Sequence, residues 1–242
     1  MNAKFKALEK PVIAVLGAGH GGMAMAGHLA MMGFEVNLFN RGDERLWGVR
    51  SSGGIELTGE VVGFGPIKMA TTSMEEALSN ANLIMVVVPA LAHRWIAVQA
   101  APFLRDGHII VLHPGRTLGA LEFKQVLASL KVTADVIISE TQTFIYASRA
   151  IGPSQVKIFS IKHSIPVASI RAYLIPMVIA QLRKFYPQFV PGDNIFKTSF
   201  DNIGSIFHPA LCILNAGWIE DDAQFQFYHE GATESVSLVL EK

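Results

Sequence analysis

The chain has 242 residues, enough for one large domain or two smaller ones with a real core. Half of its residues are hydrophobic and 17% are charged, against about 25% in an ordinary soluble domain, which favours a parallel sheet covered on both faces. Lys and Arg together number 20, as do Asp and Glu, so the zero net charge excludes the basic surface of a nucleic-acid-binding protein. The single cysteine, Cys212, excludes an internal disulfide framework and indicates a cytoplasmic protein.

Two apolar segments superficially resemble membrane-directed sequences. Lysines precede the run 11–27, as in a secretory signal peptide, but glycines interrupt that run and favour a strand followed by a turn. The run 203–219 is nearly long enough to span a bilayer, but His208, Pro209 and Asn215 interrupt it and favour a helix buried in protein. No membrane partner is therefore expected.

Strand-like and helix-like segments alternate up to Ile161. Apolar runs predict strands at 12–16, 35–39, 83–88, 108–112 and 135–139. Helices are predicted after the first strand through Met32, at 73–81, where Ser73 and Glu76 form a capping box, and at 120–130. This alternation predicts right-handed βαβ units and an α/β fold with a doubly wound parallel (Rossmann) sheet.

The pattern changes after Ile161. The segments 167–187 and 201–221 are long and mostly apolar, and each predicts a helix, with the polar stretch 189–194 between them. We therefore divide the chain into a Rossmann domain at 1–170 and an all-helical second domain at 171–242.

A glycine-rich loop follows the first predicted strand. Its pattern G-x-G-x-x-G marks dinucleotide binding when it lies between a strand and a helix, although such a turn can also occur without a ligand. The first glycine allows a tight turn, the second lets the backbone approach a diphosphate, and the third lets the helix pack on the strand. Together with the helix N-terminus, this predicts cofactor contacts from Gly17, Gly19, His20, Gly21 and Gly22.

The end of the second strand bears on the choice of cofactor. An NAD-binding site usually has a carboxylate there for the ribose 2′-hydroxyl, whereas this chain has Asn40 and Arg41. Arg41 can pair with a 2′-phosphate and stack on adenine, so NADP is the expected cofactor. If Arg41 is instead an ordinary solvated charge, NAD is the alternative. Further cofactor contacts are predicted where the strand 83–88 ends, from Val88, Pro89 and Ala90.

Later strands end at the same edge of the predicted sheet. Arg116 follows the strand 108–112, and Glu140 and Thr141 follow the strand 135–139. These three residues are candidate substrate contacts, because ligands bind at the carboxyl ends of such strands. Each could equally be a turn or cap residue.

His208 lies just before Pro209, which disfavours helical backbone at the histidine and suits the first turn of a new helix. The imidazole would then project from a break between helices. Asn202 and Asn215 could hydrogen-bond the ring or a substrate. A buried, hydrogen-bonded histidine that caps a helix is the alternative. The spacing of the other histidines predicts no metal site.

Several motifs together resemble the octopine/nopaline (opine) dehydrogenase family over most of the chain. They are the glycine pattern at 17–22, Pro114-Gly115, Ser-Glu-Thr at 139–141, the series Asn202, His208-Pro209 and Leu214-Asn215, and the segment 225–236. The resemblance implies an NAD(P)-dependent enzyme that reductively condenses a 2-oxo acid with the amine of an amino acid. It further implies that His208 is the general acid/base, with Asn202 beside it, and that Glu140 and Thr141 contact the two substrates.

The chain departs from the family in two respects. Arg116 stands where a different polar residue is common, and we expect it to bind a substrate carboxylate. The family also has a larger helical domain, whereas this chain stops at residue 242 in a helix-like pattern. We therefore expect a truncated helical domain, in which cofactor binding survives more readily than catalysis. An apolar helix face left uncovered would favour a homodimer.

Two other functions are compatible with the same residues. A ketopantoate-reductase-like or 6-phosphogluconate-dehydrogenase-like enzyme would use a lysine and an asparagine, for which Lys197 and Asn202 are available. A non-catalytic NADP-binding protein would bind the cofactor without oxidising it.

Overall fold

The computed structural model describes residues 8–221 and 224–242 of the chain. The chain divides after Phe200 into a first unit, which is α/β, and a second unit that starts at Asp201 and whose described residues form helices and loops. The division expected after residue 170 differs from this one, because residues 171–200 fold with the first unit and contribute a strand to its sheet.

Twelve strands lie in the described part of the first unit. In chain order they are β1 (Ile13–Leu16), β2 (Val36–Phe39), β3 (Gly54–Gly59), β4 (Gly63–Pro66), β5 (Met69–Thr71), β6 (Leu83–Val86), β7 (Ile109–Leu112), β8 (Ile137–Thr141), β9 (Tyr146–Gly152), β10 (Gln155–Ile161), β11 (Ile165–Ser169) and β12 (Phe189–Pro191). Eight of them form the main sheet in the order β12-β11-β8-β7-β6-β1-β2-β5, which is parallel except where β11 runs antiparallel to β8.

Ten α-helices lie in the described residues. Those of the first unit are α1 (His20–Met31), α2 (Trp47–Ser52), α3 (Met74–Leu78), α4 (His93–Ala100), α5 (Gly119–Ser129), α6 (Ile175–Leu182) and α7 (Ile195–Phe200). Those of the second unit are α8 (Gly204–Leu214), α9 (Ala216–Glu220) and α10 (Glu234–Leu240). None of these helices is both long and apolar enough to cross a membrane.

The centre of the main sheet confirms the predicted Rossmann architecture. The strands β1, β2, β6, β7 and β8 are buried along their whole length, as expected for apolar strands covered on both faces. β1 pairs with β2 on one side and with β6 on the other, so the order of the strands switches beside β1. Ligands of open α/β sheets bind at the carboxyl ends of the strands next to such a switch.

A second sheet, in the order β4-β3-β10-β9, was not predicted from the sequence. Helix α1 contacts strands of both sheets, and Gly27 on this helix packs against the side chains of Ile55 and Leu57. The composition of α1 is consistent with cover on two sides, since alanine, glycine and methionine surround the helix without leaving a polar face.

Two predicted helices are wrong in part. The segment 167–187 begins with strand β11, and only Ile175–Leu182 forms an α-helix. The strand is favoured because Val167 and Ala168 are fully buried in the main sheet, between β8 and β12. In the segment 201–221, helix α8 continues through Pro209, so the break expected at His208 is absent. Proline removes a single backbone donor there, and burial of Leu211 of α8 and Val236 of α10 holds the helices of the second unit together.

Candidate functional site

The carboxyl ends of β1, β2, β6 and β7 meet at one edge of the main sheet, where a cavity of about 570 Å³ opens. We call it the main cavity. Eight residues predicted from the sequence line it: Gly17, Gly19, His20, Gly21, Asn40, Val88, Pro89 and Arg116. The rest of its lining was not predicted as site residues, although Pro114 belongs to the Pro-Gly motif: Arg45, Val87, His113, Pro114 and Phe144.

Each of the three glycines of the G-x-G-x-x-G motif meets a different structural requirement. Gly17 has a φ of +116°, and a side chain there would overlap the carbonyl oxygen of Val87. A Cβ at Gly22 would overlap the carbonyl oxygen of Gly17, so only glycine lets α1 pack this closely on the loop. At Gly19 a Cβ would meet no atom within 4 Å, so the loop backbone is open on that side. An open backbone is what the approach of a diphosphate requires.

The N-terminus of α1 lies at the main cavity. Gly19 is its N-cap, and the N–H of Met23 donates to the Gly19 carbonyl (3.0 Å). The N–H groups of the first turn have no acceptor within the helix, and the helix dipole is positive at this end. The first turn carries no acidic side chain. This end of α1 therefore suits an anionic group such as a phosphate.

His20 anchors the glycine loop to the second sheet. Its Nδ1 accepts a hydrogen bond from the N–H of Ala150 (2.9 Å), and its carbonyl accepts one from the hydroxyl of Ser148 (3.3 Å). Both partners belong to β9, so the first residue of α1 is tied to the second sheet.

Asn40 links the two loops that border the main cavity. Its Oδ1 accepts a hydrogen bond from the N–H of Ala18 (3.2 Å), and its Nδ2 donates to the carbonyl of Gly42 (2.8 Å).

The next residue, Arg41, is exposed, and its guanidinium carbon lies 5.9 Å from the ring centre of Trp95. Of the other predicted cofactor contacts, Ala90 is exposed in a short 3-10 helix after β6.

His113 is a cavity residue with a defined tautomer. Its Nε2 accepts a hydrogen bond from the N–H of Ile145 (3.2 Å), so Nδ1 carries the proton and donates to the hydroxyl of Thr141 (2.8 Å). Burial lowers the pKa of His113 to about 3, and the charge of Lys162 adds to this. His113 is therefore neutral near pH 7. The predicted substrate contact Thr141 is fully buried in this hydrogen-bond chain.

Glu140, the other predicted substrate contact on β8, is also fully buried. Its Oε2 accepts a hydrogen bond from the N–H of Ala120 (2.9 Å), and its Oε1 accepts from the hydroxyls of Thr198 and Ser199 (both 2.7 Å). Burial raises the pKa of Glu140, while these three hydrogen bonds act to lower it. The carboxylate thus connects the start of α5 to α7. This arrangement corresponds to the alternative in which Glu140 is a cap residue.

The loop from β7 to α5 carries Arg116 into the main cavity. Arg116 and Leu118 have φ values of 58° and 59°, in the left-handed region that side chains rarely adopt. The N–H of Leu118 donates to the hydroxyl of Ser199 (3.0 Å), which itself binds Glu140. Non-glycine residues in this conformation persist only where the surroundings hold them, and they cluster at functional sites.

In the second unit, His208 lies on α8 and is half-buried. Its Nε2 is hydrogen-bonded to the hydroxyl of Tyr228 (2.8 Å), and its ring centre lies 6.2 Å from that of Phe227. A Cβ at Gly204 would lie 3.2 Å from Cε1 of His208, so the glycine leaves room for the ring over the first turn of α8. Asn202 precedes this turn, and its carbonyl accepts from the N–H of Ser205 (2.9 Å).

Asn215 and Lys197 already have partners within their own units. The Nδ2 of Asn215, which is buried, donates to the carbonyls of Leu211 (2.8 Å) and Gly231 (2.9 Å). The Nζ of Lys197 lies 3.0 Å from a carboxylate oxygen of Asp193, one turn earlier at the surface. In the described residues no three His, Cys, Asp or Glu side chains are grouped so as to hold a metal ion.

Known proteins match both units of the chain. Residues 191–242 match the family model of the NAD/NADP octopine/nopaline dehydrogenase alpha-helical domain, and residues 12–115 match that of the NAD-dependent glycerol-3-phosphate dehydrogenase N-terminus. An opine dehydrogenase of Arthrobacter sp. (strain 1C) is 34% identical over 236 residues, which cover 97% of this chain and 66% of that protein. The chain thus spans about two thirds of the length of this relative.

Solved structures show the same fold. An octopine dehydrogenase with NADH and pyruvate has a TM-score of 0.72 at 21% identity, covering 89% of this chain and 57% of that one. A yersinopine dehydrogenase with bound NADP+ has a TM-score of 0.68 at 16% identity, covering 85% and 53%. Structures of ketopantoate reductases follow with TM-scores of 0.57 to 0.61. By its sequence relatives and its fold, the chain belongs to the octopine/nopaline (opine) dehydrogenase family.

Proposed function

We propose that the chain binds a nicotinamide dinucleotide in the main cavity and acts as an opine-type oxidoreductase. The reaction would join a 2-oxo acid to the amine of an amino acid with loss of water, and would reduce the resulting imine to a secondary amine. The observation that carries this proposal is the glycine loop of a family member, open at Gly19 and followed by the N-terminus of α1, at the edge of a cavity of about 570 Å³.

Specific residues would hold the cofactor. The backbone at Gly17 and Gly19 and the first turn of α1 would bind the diphosphate, since they offer N–H groups and no acidic side chain. Val88 and Pro89 would line the cofactor beyond the end of β6. When bound, the cofactor supplies the hydride that reduces the imine carbon.

Arg116 is proposed to orient a substrate by its carboxylate. It lines the main cavity, and a guanidinium can bind a carboxylate through two parallel hydrogen bonds. Glu140 and Thr141 are fully buried, and both are hydrogen-bonded to protein groups. In the proposal they fix the loops that shape the substrate site rather than contact the substrate.

His208 is proposed as the general acid/base, with Asn202 beside it at the start of the second unit. An imidazole can donate a proton to the developing amine and take one back in the reverse direction. The hydroxyl of Tyr228, 2.8 Å from Nε2, would hold the ring in one orientation. This role is proposed from the family motif and from the chemistry of the group.

A substrate screen tests the reaction. The loss of reduced-cofactor absorbance would be followed with 2-oxo acids crossed against amino acids, for NADPH and for NADH. We expect oxidation only when both substrates are present, because reduction requires the imine. Oxidation by an oxo acid alone would instead indicate a ketopantoate-reductase-like enzyme, and cofactor binding without oxidation by any pair would indicate a non-catalytic binding protein.

The variants His208→Ala and Lys197→Ala distinguish the two enzyme types. We expect the first to abolish turnover and the second to leave it nearly unchanged, because Lys197 is exposed and paired with Asp193. Loss of turnover in the lysine variant alone would contradict the assignment of His208.

A further inference from the structure

A lysine that was not predicted as a site residue lies next to the wall of the main cavity. Lys162 is in the turn between β10 and β11, and its ammonium Nζ donates a hydrogen bond to the hydroxyl of Thr143 (2.5 Å). Its backbone N–H donates to the carbonyl of Ile145 (2.9 Å). Phe144, the residue between these two partners, lines the main cavity. Lys162 is therefore attached to a loop of the cavity at two points.

This loop, which follows β8, is itself fixed to the loop that follows β7. The hydroxyl of Thr141 donates to the carbonyl of Thr143 (3.0 Å), and the carbonyl of Thr141 accepts from the N–H of Gly115 (3.0 Å). Gly115 directly precedes Arg116, which lines the main cavity. One connected set of hydrogen bonds therefore holds the ammonium group of Lys162 and the backbone next to Arg116.

The positive charge of Arg116 reaches Lys162. The pKa of Lys162 is lowered by partial burial of the side chain and, after that, by the charge of Arg116. Burial, and after it the charge of Lys162, lowers the pKa of His113, whose ring lies in the wall of the main cavity. Two cations that approach one another in this way are stabilised by an anion that binds between them.

The nearby carboxylates of the first unit are buried or lie at the other end of the sheet. None of the described residues that line the main cavity is Asp or Glu. Glu140 is buried, and its oxygens accept hydrogen bonds from three protein groups. Glu44, which is exposed, and Asp43, which is paired with Arg50, belong to the loop after β2, and three strands of the main sheet separate β2 from β8. Among the described residues of the first unit, Lys162 therefore has no carboxylate partner.

We propose that Lys162 binds the second substrate carboxylate, so that the two carboxylates of an opine-type product are held by Lys162 and Arg116. This inference rests on the proposed function, because that reaction leaves two carboxylates on carbons bonded to the same nitrogen. Arg116 binds one of them through two parallel hydrogen bonds. The ammonium group of Lys162 has three donors, of which Thr143 accepts one, so two remain for the other carboxylate.

The hydrogen bond to Thr143 gives Lys162 its positioning. A lysine side chain on a free surface samples many rotamers, and a ligand that fixes it must offset the loss of that freedom. Thr143 restricts the ammonium group before the substrate arrives, so less of the binding free energy is lost. The two cations then select secondary amines with two carboxylates over those with one, because a single carboxylate satisfies only one of them.

The test compares two secondary amines that differ by one carboxylate, N-(1-carboxyethyl)-L-alanine and N-ethyl-L-alanine. Binding of each to the full chain is measured by calorimetry with saturating NADPH, because the amine and the cofactor are then both reduced and no turnover occurs. We expect the wild type to prefer the dicarboxylate by about tenfold or more, the range of one charged hydrogen bond. Lys162→Gln should remove most of that preference without weakening the binding of N-ethyl-L-alanine.

Three further variants separate charge, position and folding. Lys162→Arg retains a cation and should keep most of the preference for the dicarboxylate. Thr143→Val removes the hydroxyl that holds the ammonium group, and should reduce the preference about two- to fivefold, as for one modest hydrogen bond. Lys157→Gln is the matched control, at an exposed lysine of β10 whose Nζ lies 5.4 Å from the ring centre of Phe159, and it should change neither affinity.

Three results would overturn the inference. Equal affinities of the two amines for the wild type, or no binding of either, would show that no second carboxylate site exists. An equal loss of both affinities in Lys162→Gln would show that the lysine only supports its loop. Titration with NADPH alone separates these results from failure of the proposed function: retained NADPH binding leaves the cofactor part of that proposal standing, whereas its absence in the wild type would remove both.

Discussion

The carboxylate of Glu140 accepts a hydrogen bond from the backbone N–H of Ala120, at 2.9 Å, and so caps the start of α5 from the end of β8. The same carboxylate accepts hydrogen bonds from Thr198 and Ser199 on α7. Ser199 also accepts one from Leu118, in the loop that carries Arg116. One buried side chain therefore organises a loop of the main cavity and the last helix of the first unit.

Replacing this carboxylate tests that role. Glu140→Gln would place an NH2 group beside the N–H of Ala120 or the two hydroxyls, leaving at least one donor unpaired. We expect the free energy of unfolding to fall by about 1–3 kcal/mol, the usual cost of a buried unsatisfied group. Urea unfolding of the variant and the wild type near pH 7 would measure it, and an unchanged stability would contradict the capping role.

The pH dependence of the same pair has a defined sign. Burial raises the pKa of Glu140 above its ordinary value of 4.5, so the folded chain holds this proton more tightly than the unfolded chain. This contribution to stability is fully present below pH 4.5 and is lost as the pH rises through the raised pKa. The stability of the wild type relative to Glu140→Gln should therefore decrease as the pH rises above 4.5. An increase over that interval would show that the hydrogen bonds outweigh burial.

Three buried histidines have the opposite effect. Burial lowers the pKa of His93 and His108 to about 4 and that of His113 to about 3, from an ordinary value of 6.5. Between 6.5 and these values the unfolded chain binds protons that the folded chain does not, so stability is lost as the pH falls. Each such histidine contributes a slope of about 1.4 kcal/mol per pH unit.

The variant His113→Gln isolates one of these slopes. The glutamine oxygen can accept a hydrogen bond from the N–H of Ile145, and the glutamine NH2 group can donate one to the hydroxyl of Thr141. The variant can therefore make the same two hydrogen bonds as the imidazole. Below pH 6.5 the wild type should lose stability more steeply than the variant, by about 1.4 kcal/mol per pH unit. Parallel stability curves from urea unfolding at several pH values would mean that His113 is not neutral in the folded chain.

The close packing of α1 on its loop makes a specific prediction for Gly22. A methyl group there would overlap the carbonyl oxygen of Gly17, and both residues are buried, so the helix must shift. We expect Gly22→Ala to lower the free energy of unfolding by roughly 2–4 kcal/mol, at or above the usual cost of overpacking. Gly19→Ala is the matched control, and its stability should stay within about 0.5 kcal/mol of the wild type. Equal thermal midpoints for all three proteins would contradict this packing.

The hydroxyl of Tyr228 gives a second test of His208. Tyr228→Phe keeps the ring packing and removes the 2.8 Å hydrogen bond to Nε2. We expect kcat/KM to fall about two- to tenfold, the value of one neutral hydrogen bond, with unchanged affinity for the reduced cofactor. Tyr173→Phe, at an exposed tyrosine of the first unit, should have no effect. Identical steady-state kinetics in both variants would remove the positioning role of Tyr228.

The sequence predicted the main sheet because its strands are continuous apolar runs, and β1, β2, β6 and β7 each lie within a residue or two of the expected range. Strand β11 was missed because an apolar run has no period that separates a buried strand from a buried helix. The second sheet was missed because β3 and β4 are rich in glycine, and because β9 and β10 alternate buried and exposed residues instead of forming continuous apolar runs. The sequence of α1, which packs against this second sheet, does indicate such a layer. A helix that is apolar on all sides must be covered by protein on more than one side.

The candidate site also contains parts that could be predicted from the sequence and parts that could not. The glycine loop and Asn40 were predicted because their roles follow from local spacing along the chain. The contacts of His113 with Ile145, and of Glu140 with Ser199, join residues 32 and 59 positions apart. Such pairs are set by strand order and side-chain packing, which no local pattern encodes. For that reason the burial of Glu140 beneath the loop could not be predicted from the sequence.

The most direct test of the account is a calorimetric titration of the chain with NADPH, for the wild type and for Gly19→Ala. We expect saturable binding to one site per chain in the wild type, because the loop backbone at Gly19 is open to a diphosphate. In the folded alanine variant the affinity should fall by at least about tenfold, since the added methyl group stands where the phosphates must approach. Absence of binding to the wild type, or equal affinities for the two proteins, would contradict the central claim.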